Sequence, residues 1–156
     1  MEALKKQLVN HLNGGEAFMP LDKMLEKITF QQLGERPKDL PYSFYELFYH
    51  IWYTQKDILK YCIEKNYKAP TWPKDYWSAQ REPQNEEDWK NLMKKFREDR
   101  EDLTKMIMNP EVELTNTVPS NSDHTFLREI LLVIEHTAYH SGQLLIVLRH
   151  LGLHTT

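Results

Sequence analysis

Residues 136–143 read HTAYHSGQ and place His136 and His140 four positions apart. On an α-helix this spacing sets two side chains on one face, with Cβ atoms about 5–6 Å apart, so two imidazole nitrogens can reach one ion. The stripe they occupy continues through Val133, Leu144, Val147 and Leu151. Both rings therefore face an apolar interior, where a polar nitrogen requires a partner. A core histidine bonded to a nearby carbonyl meets the same requirement, so the pair alone does not define a metal site. His50 supplies a third imidazole. It lies between Leu47 and Thr54 on the apolar stripe of a second segment, and facing helices of a bundle converge side chains on an ion in this manner. The three positions His50, His136 and His140 are the candidate ligands of one divalent ion.

Neighbouring groups have weaker claims. Glu46 lies one turn before His50, Asp57 two turns after it, and Glu129 two turns before His136. Each carboxylate falls where it can orient an imidazole or complete the shell, and each also has a bland reading as a cap or a solvated side chain. Glu135 and Tyr139 adjoin the ligands in sequence but are turned about 100° away on the helix, which makes them poor co-ligands. His11, His124, His150 and His154 fall before a glycine break, at a helix start and at a helix end, where surface histidine is the default. Cys62, the single cysteine, sits between Tyr61 and Ile63 and reads as a packed structural thiol.

Helices must position these groups, because the apolar residues recur at spacings of three and four and not in alternation. The first helical stretch runs from Glu2 to about Gln32, with a break or bend expected at Gly14-Gly15, and ends near Gly34. A second opens at SFYE, where Ser43 and Glu46 have capping-box spacing, and carries Leu47, His50, Thr54, Ile58 and Tyr61 along one face. Residues 66–85 hold three prolines and no sustained period, a link long enough to span a bundle. Asn85 caps a third helix that runs to about Met108. Ser122 or Asp123 is expected to cap a last helix from His124 to about His150, with Gly152 as its stop. The fold class is all-α, a four-helix bundle forming one domain over residues 1–156.

Composition excludes several classes. With 20 Lys+Arg against 23 Asp+Glu, the net charge of -3 gives no basic surface of the kind that draws nucleic acid. No apolar run approaches the roughly 18 residues of a membrane span, and the opening MEALKKQLVNHLNGG has no signal-peptide core. No membrane association and a cytoplasmic location are therefore expected, and a single cysteine fits a reducing compartment.

The stretch LREILLVIEHTAYHSGQLLIVLRHLG, from Leu127 to Gly152, together with SFYELFYHIWYTQKDIL, resembles the DinB-like (DinB/YfiT) family of small four-helix metalloproteins. Residue by residue, the family's metal triad falls on His50, His136 and His140, and Gln143 matches the end of its HxxxHxGQ core. The resemblance implies an up-up-down-down bundle with long crossovers, a homodimer, and a bound zinc or nickel, with manganese or iron as further options. It also implies a thiol S-transferase, or a related hydrolase, that joins low-molecular-weight thiols to small electrophiles. Three neutral histidines leave an open position on a divalent ion, where a thiol is held as thiolate or a water's pKa is lowered toward about 7. The rival expectation is a non-catalytic, metal-stabilised bundle serving as a binding or stress-response module, for which a fourth protein ligand such as Glu46 would close the site.

Overall fold

The computed structural model describes residues 1–155. Its helices are α1 (Glu2–Asn13), the short α2 (Leu21–Leu25), α3 (Phe44–Ile63), α4 (Glu86–Met108) and α5 (Phe126–His150), with 3₁₀ turns at Phe30–Gln32 and Lys74–Tyr76. Among the described residues there is no strand, only an isolated antiparallel bridge between Thr117 and Thr125.

Helix boundaries follow local chemistry. The Ser43 hydroxyl accepts from the Glu46 amide at 3.2 Å, and the Glu46 carboxylate accepts from the Ser43 amide at 2.7 Å, the capping box expected at the start of α3. The Asn85 side chain accepts from the Asp88 amide at 2.9 Å to open α4. Gly152, at φ 74°, ends α5: its amide donates to the Arg149 carbonyl and that of Leu153 to the Leu148 carbonyl, a Schellman closure that a residue with a Cβ adopts poorly.

Two boundaries differ from expectation. The first helical stretch breaks at Gly14-Gly15 as expected, where φ of 76° and 97° enters the left-handed region and turns the chain away, but its second half to Gln32 holds only the short α2 and a 3₁₀ turn in place of a long helix. The last helix begins at Phe126 and not at His124, and its cap is Thr125, whose hydroxyl accepts from the Arg128 amide, in place of Ser122 or Asp123. The reason is pairing: the Val118 amide donates to the His124 carbonyl at 2.8 Å and the Phe126 amide to the Asn116 carbonyl, which hold the chain extended up to Thr125.

Side-chain packing sets the helix directions. At one end of the bundle Phe44, Leu47, Phe48 and Ile51 of α3 meet Trp89, Leu92 and Phe96 of α4 and Leu144, Val147 and Leu148 of α5. At the other, Ile58, Leu59 and Cys62 meet Leu103, Ile107, Ile130 and Val133, with Leu8 and Leu12 of α1. Thus α3 and α4 run parallel, and α5 runs against both. Lys5 caps the end of α4 through the Asn109 and Val112 carbonyls, at 2.6 and 2.7 Å, so α1 is also antiparallel to α4. Two helices point each way, and in chain order the course is up-down-down-up where up-up-down-down was expected. The parallel neighbours α3 and α4 are consecutive, so the crossover at residues 64–85 must travel the length of the bundle. Each fully buried Phe, Leu or Ile of this core contributes about 1.5–3 kcal/mol.

That crossover is tied down along its course. The Tyr67 and Tyr76 hydroxyls donate to the two oxygens of Asp57 at 2.8 and 2.6 Å, and the Ser43 hydroxyl donates to the Arg81 carbonyl at 2.7 Å. Helix α5 is, by length and composition alone, apolar enough to cross a membrane, but in the bundle it buries Ile130, Val133, Leu144, Val147 and Leu148. Cys62 is 1% exposed, and burial, with the charge of Glu129 adding to it, pushes its thiol up to about 12. It is a packing residue, as its sequence neighbours suggest.

Candidate metal centre

Because α3 and α5 are antiparallel neighbours, the second turn of α3 lies level with the middle of α5. His50 thereby meets both members of the α5 pair. Its Nε2 stands 3.0 Å from the Nε2 of His136, and one ligand nitrogen from each of His50, His136 and His140 lies within 4.8 Å of the others. The ring centroids are 4.4–4.8 Å apart. His50 and His140 are buried, and His136 is half-buried.

Two of the three rings are oriented by acceptors. His50 Nδ1 is 3.0 Å from the Tyr76 carbonyl, and His140 Nδ1 is 2.5 Å from Oε1 of Gln143. A carbonyl oxygen only accepts, so each Nδ1 carries the proton and each Nε2 keeps a lone pair. His50 is further held flat against Trp77, with centroids 4.1 Å apart and planes 2° from parallel. Burial pushes His50 down to about 4, an effect the Tyr76 carbonyl partly offsets. Burial, reinforced by the neighbouring imidazoles, pushes His136 down to about 3, and burial also lowers His140. All three rings are thus neutral at pH 7, the form that ligates metal.

The donor set fits a divalent ion. Two nitrogens each bound at about 2.0–2.1 Å stand roughly 3–3.4 Å apart at ordinary coordination angles, close to the 3.0 Å between His50 and His136. Imidazole-only sites suit zinc, nickel, copper and iron better than magnesium or calcium. Among the described residues no carboxylate or thiol joins the three histidines.

The other candidates are accounted for elsewhere. Glu46 accepts from Arg36 Nε at 2.9 Å and from the Ser43 amide, so its role is the cap and an ion pair. Buried Glu129 is paired with Arg128 and with His124 at 3.3 Å, at the start of α5 and away from the triad. His124 is not a free surface group; its Nδ1 is 2.8 Å from the Tyr61 hydroxyl. His11 and His150 are exposed and His154 is half-buried, and none joins the cluster. Asp57 reaches the site indirectly, since the Tyr76 that it anchors presents its carbonyl to His50. Sequence reasoning missed Tyr76 and Trp77. The density of aromatics in the link was the one signal available, because a backbone carbonyl has no residue signature.

Gln143 is the support that the motif left undefined. Replacing it with alanine leaves His140 Nδ1 without its acceptor, and metal affinity is expected to fall about 10–100-fold with little change in helicity. Competition with a chromophoric chelator measures this; an unchanged affinity would mean that packing alone sets the ring.

Comparison with known proteins gives one positive result: the sequence model of the DinB superfamily matches residues 16–144. No curated protein and no solved structure matches the chain.

Proposed function

The chain belongs to the DinB superfamily, and from that membership we propose that it is a divalent-metal-dependent thiol S-transferase, or a related hydrolase, acting on small electrophiles. The observation that carries this reading is a triad of neutral histidines with no fourth protein donor among the described residues, since Glu46 is held by Arg36 and Ser43. A closed, purely structural site takes four protein ligands, and a catalytic one keeps a position free. Zinc or nickel is the ion that this family membership favours, and imidazole donors suit both.

When bound, a divalent ion supplies Lewis acidity, which favours the deprotonated form of a thiol or a water at the free position. The chain's own residues do the rest. His50, His136 and His140 hold the centre, Gln143 and the Tyr76 carbonyl fix two of the rings, and Trp77 covers the face of His50 and restricts water there.

The test is turnover. Protein loaded in turn with zinc, nickel, manganese or iron is offered bacillithiol, glutathione, coenzyme A and cysteine with a chromogenic electrophile. At least one combination is expected to conjugate faster than the metal and thiol alone, and the His50→Ala variant is expected not to. If no combination is turned over, the transferase reading fails; ester and amide hydrolysis is then assayed, and failure there leaves the metal-stabilised bundle.

A further inference from the structure

Arg100 carries a charge that no carboxylate among the described residues pairs. Its guanidinium is fixed by three neutral contacts: Nε donates to Gln55 Oε1 at 2.5 Å, Nη1 donates to the Leu12 carbonyl, and Cζ stands 4.9 Å from the centroid of the Phe96 ring. Gln55 is locked in turn, its Nε2 donating to the Phe96 carbonyl at 2.9 Å. Arg100 is half-buried as a whole, yet its Nη2 is fully covered and has no hydrogen-bond partner. A covered donor without an acceptor is costly, and more so when it bears charge. Burial pushes the group down to about 10, an effect that Asp22 partly offsets, so it stays charged at pH 7.

The same side chain lines a cavity of about 310 Å³ between the end of α1, α2 and α4. Asp22 and Glu101 also lie on its wall, but Asp22 is paired with Arg97 at 2.9 Å and Glu101 with Lys105 at 3.0 Å. With those pairs formed, the charge left over is that of Arg100. Leu21 and the Phe96 ring supply apolar wall beside it. Apolar walls around a few fixed polar groups are the usual composition of a small-molecule site. None of the lining residues belongs to the triad or to its supports Tyr76, Trp77 and Gln143.

We propose that this cavity binds a small organic monocarboxylate through Arg100, at a site separate from the metal centre. A carboxylate brings one negative charge, a planar pair of oxygens that fits guanidinium N–H groups, and an organic body for Leu21 and Phe96. A doubly charged anion such as sulfate leaves one of its charges unmatched there. The guanidinium is already oriented by Gln55, Leu12 and Phe96, so little conformational entropy is lost when a ligand meets it. Those contacts join α4 to α3 and α1, and a ligand that binds the assembled cavity stabilises the folded chain by mass action. Neither the transferase reading nor a bound metal is required.

The probe is benzoate, with neutral benzamide of nearly the same shape and sulfate as controls, each titrated at constant ionic strength into the full zinc-loaded protein. Backbone amide signals in the nuclear magnetic resonance spectrum locate the ligand and give its affinity. Benzoate is expected to move the amides of Asn13, Leu21 and Glu101, and to bind at least about tenfold more tightly than benzamide or sulfate. Arg100→Met, which keeps an apolar stem in the same space, is expected to weaken benzoate about ten- to a hundredfold, and Arg100→Lys, which keeps the charge and loses the fork, to weaken it less. His50→Ala is expected to bind benzoate as the parent does, because the metal takes no part. Should Arg100→Met fail to fold, the amide map and the benzamide comparison in the parent decide alone. Benzamide or sulfate binding as tight as that of benzoate overturns the proposal, as does undiminished benzoate binding by a folded Arg100→Met, and so does a parent in which no amide at the cavity shifts. Shifts confined to the residues around His136 and His140 that vanish in His50→Ala also overturn it, by assigning the carboxylate to the metal.

Discussion

His50→Ala is expected to strip metal from the protein about as completely as His140→Ala, although 90 residues separate the two positions, while His11→Ala and His154→Ala leave the metal content unchanged. The structure supplies the reason. His50 Nε2 is 3.0 Å from His136 Nε2, and one nitrogen from each of the three rings falls within 4.8 Å of the others, so each ring can contribute one donor to a single centre. Two imidazoles leave a divalent ion underbound, and the third, held by the Tyr76 carbonyl and Trp77, is already oriented before the ion arrives. Elemental analysis after gel filtration reads the outcome. A His50→Ala protein that keeps a full equivalent of metal removes His50 from the site and reduces the motif HTAYHSGQ to a helical pair.

The second large effect is on stability. An ion that binds only the folded chain adds RT ln(1 + [M]/Kd), about 4 kcal/mol at a thousandfold excess over Kd, or about 8–16 °C in a domain of this size. Chelator is expected to lower the melting temperature of the parent by that order and to leave His50→Ala where it is. The metal-free protein has its own pH dependence. His50 and His136 titrate at about 4 and about 3 in the folded state against 6.5 for the free side chain. The folded values lie below the unfolded one, so the unfolded chain takes up protons first as pH falls. Stability is therefore full above pH 6.5 and is lost as the pH drops through about 4 and then 3. Chelator-treated parent and a His50→Ala/His136→Ala double variant, melted across pH 4–8, should diverge in slope, the parent being steeper; parallel curves would show that the imidazoles are not buried as neutral bases.

The sequence by itself determined which segments are helices and which histidines face inward. Apolar residues at three- and four-residue spacing define the buried stripes of α3, α4 and α5, and the caps at Ser43 and Asn85 are local hydrogen bonds that need no distant partner. His136 and His140 share a face through helical geometry alone, and His50 was legible because it interrupts an apolar stripe. Tertiary structure decided the rest. That His50 lies level with the pair depends on α5 running against α3, which a link of unknown path does not specify. The order of up and down helices depends on whether residues 64–85 travel the bundle or fold back, and bonds from Tyr67, Tyr76 and Ser43 to distant partners settle it. The late start of α5 at Phe126 arises from pairing of residues 116–118 with residues 124–126, a contact between segments with no repeating pattern. The acceptor for His50 is the carbonyl of Tyr76, and every residue carries one, so side-chain identity could not mark it. Residue type and helical period act within a few turns; the height of one helix against another, and the path of the chain that covers them, emerge only when the core packs.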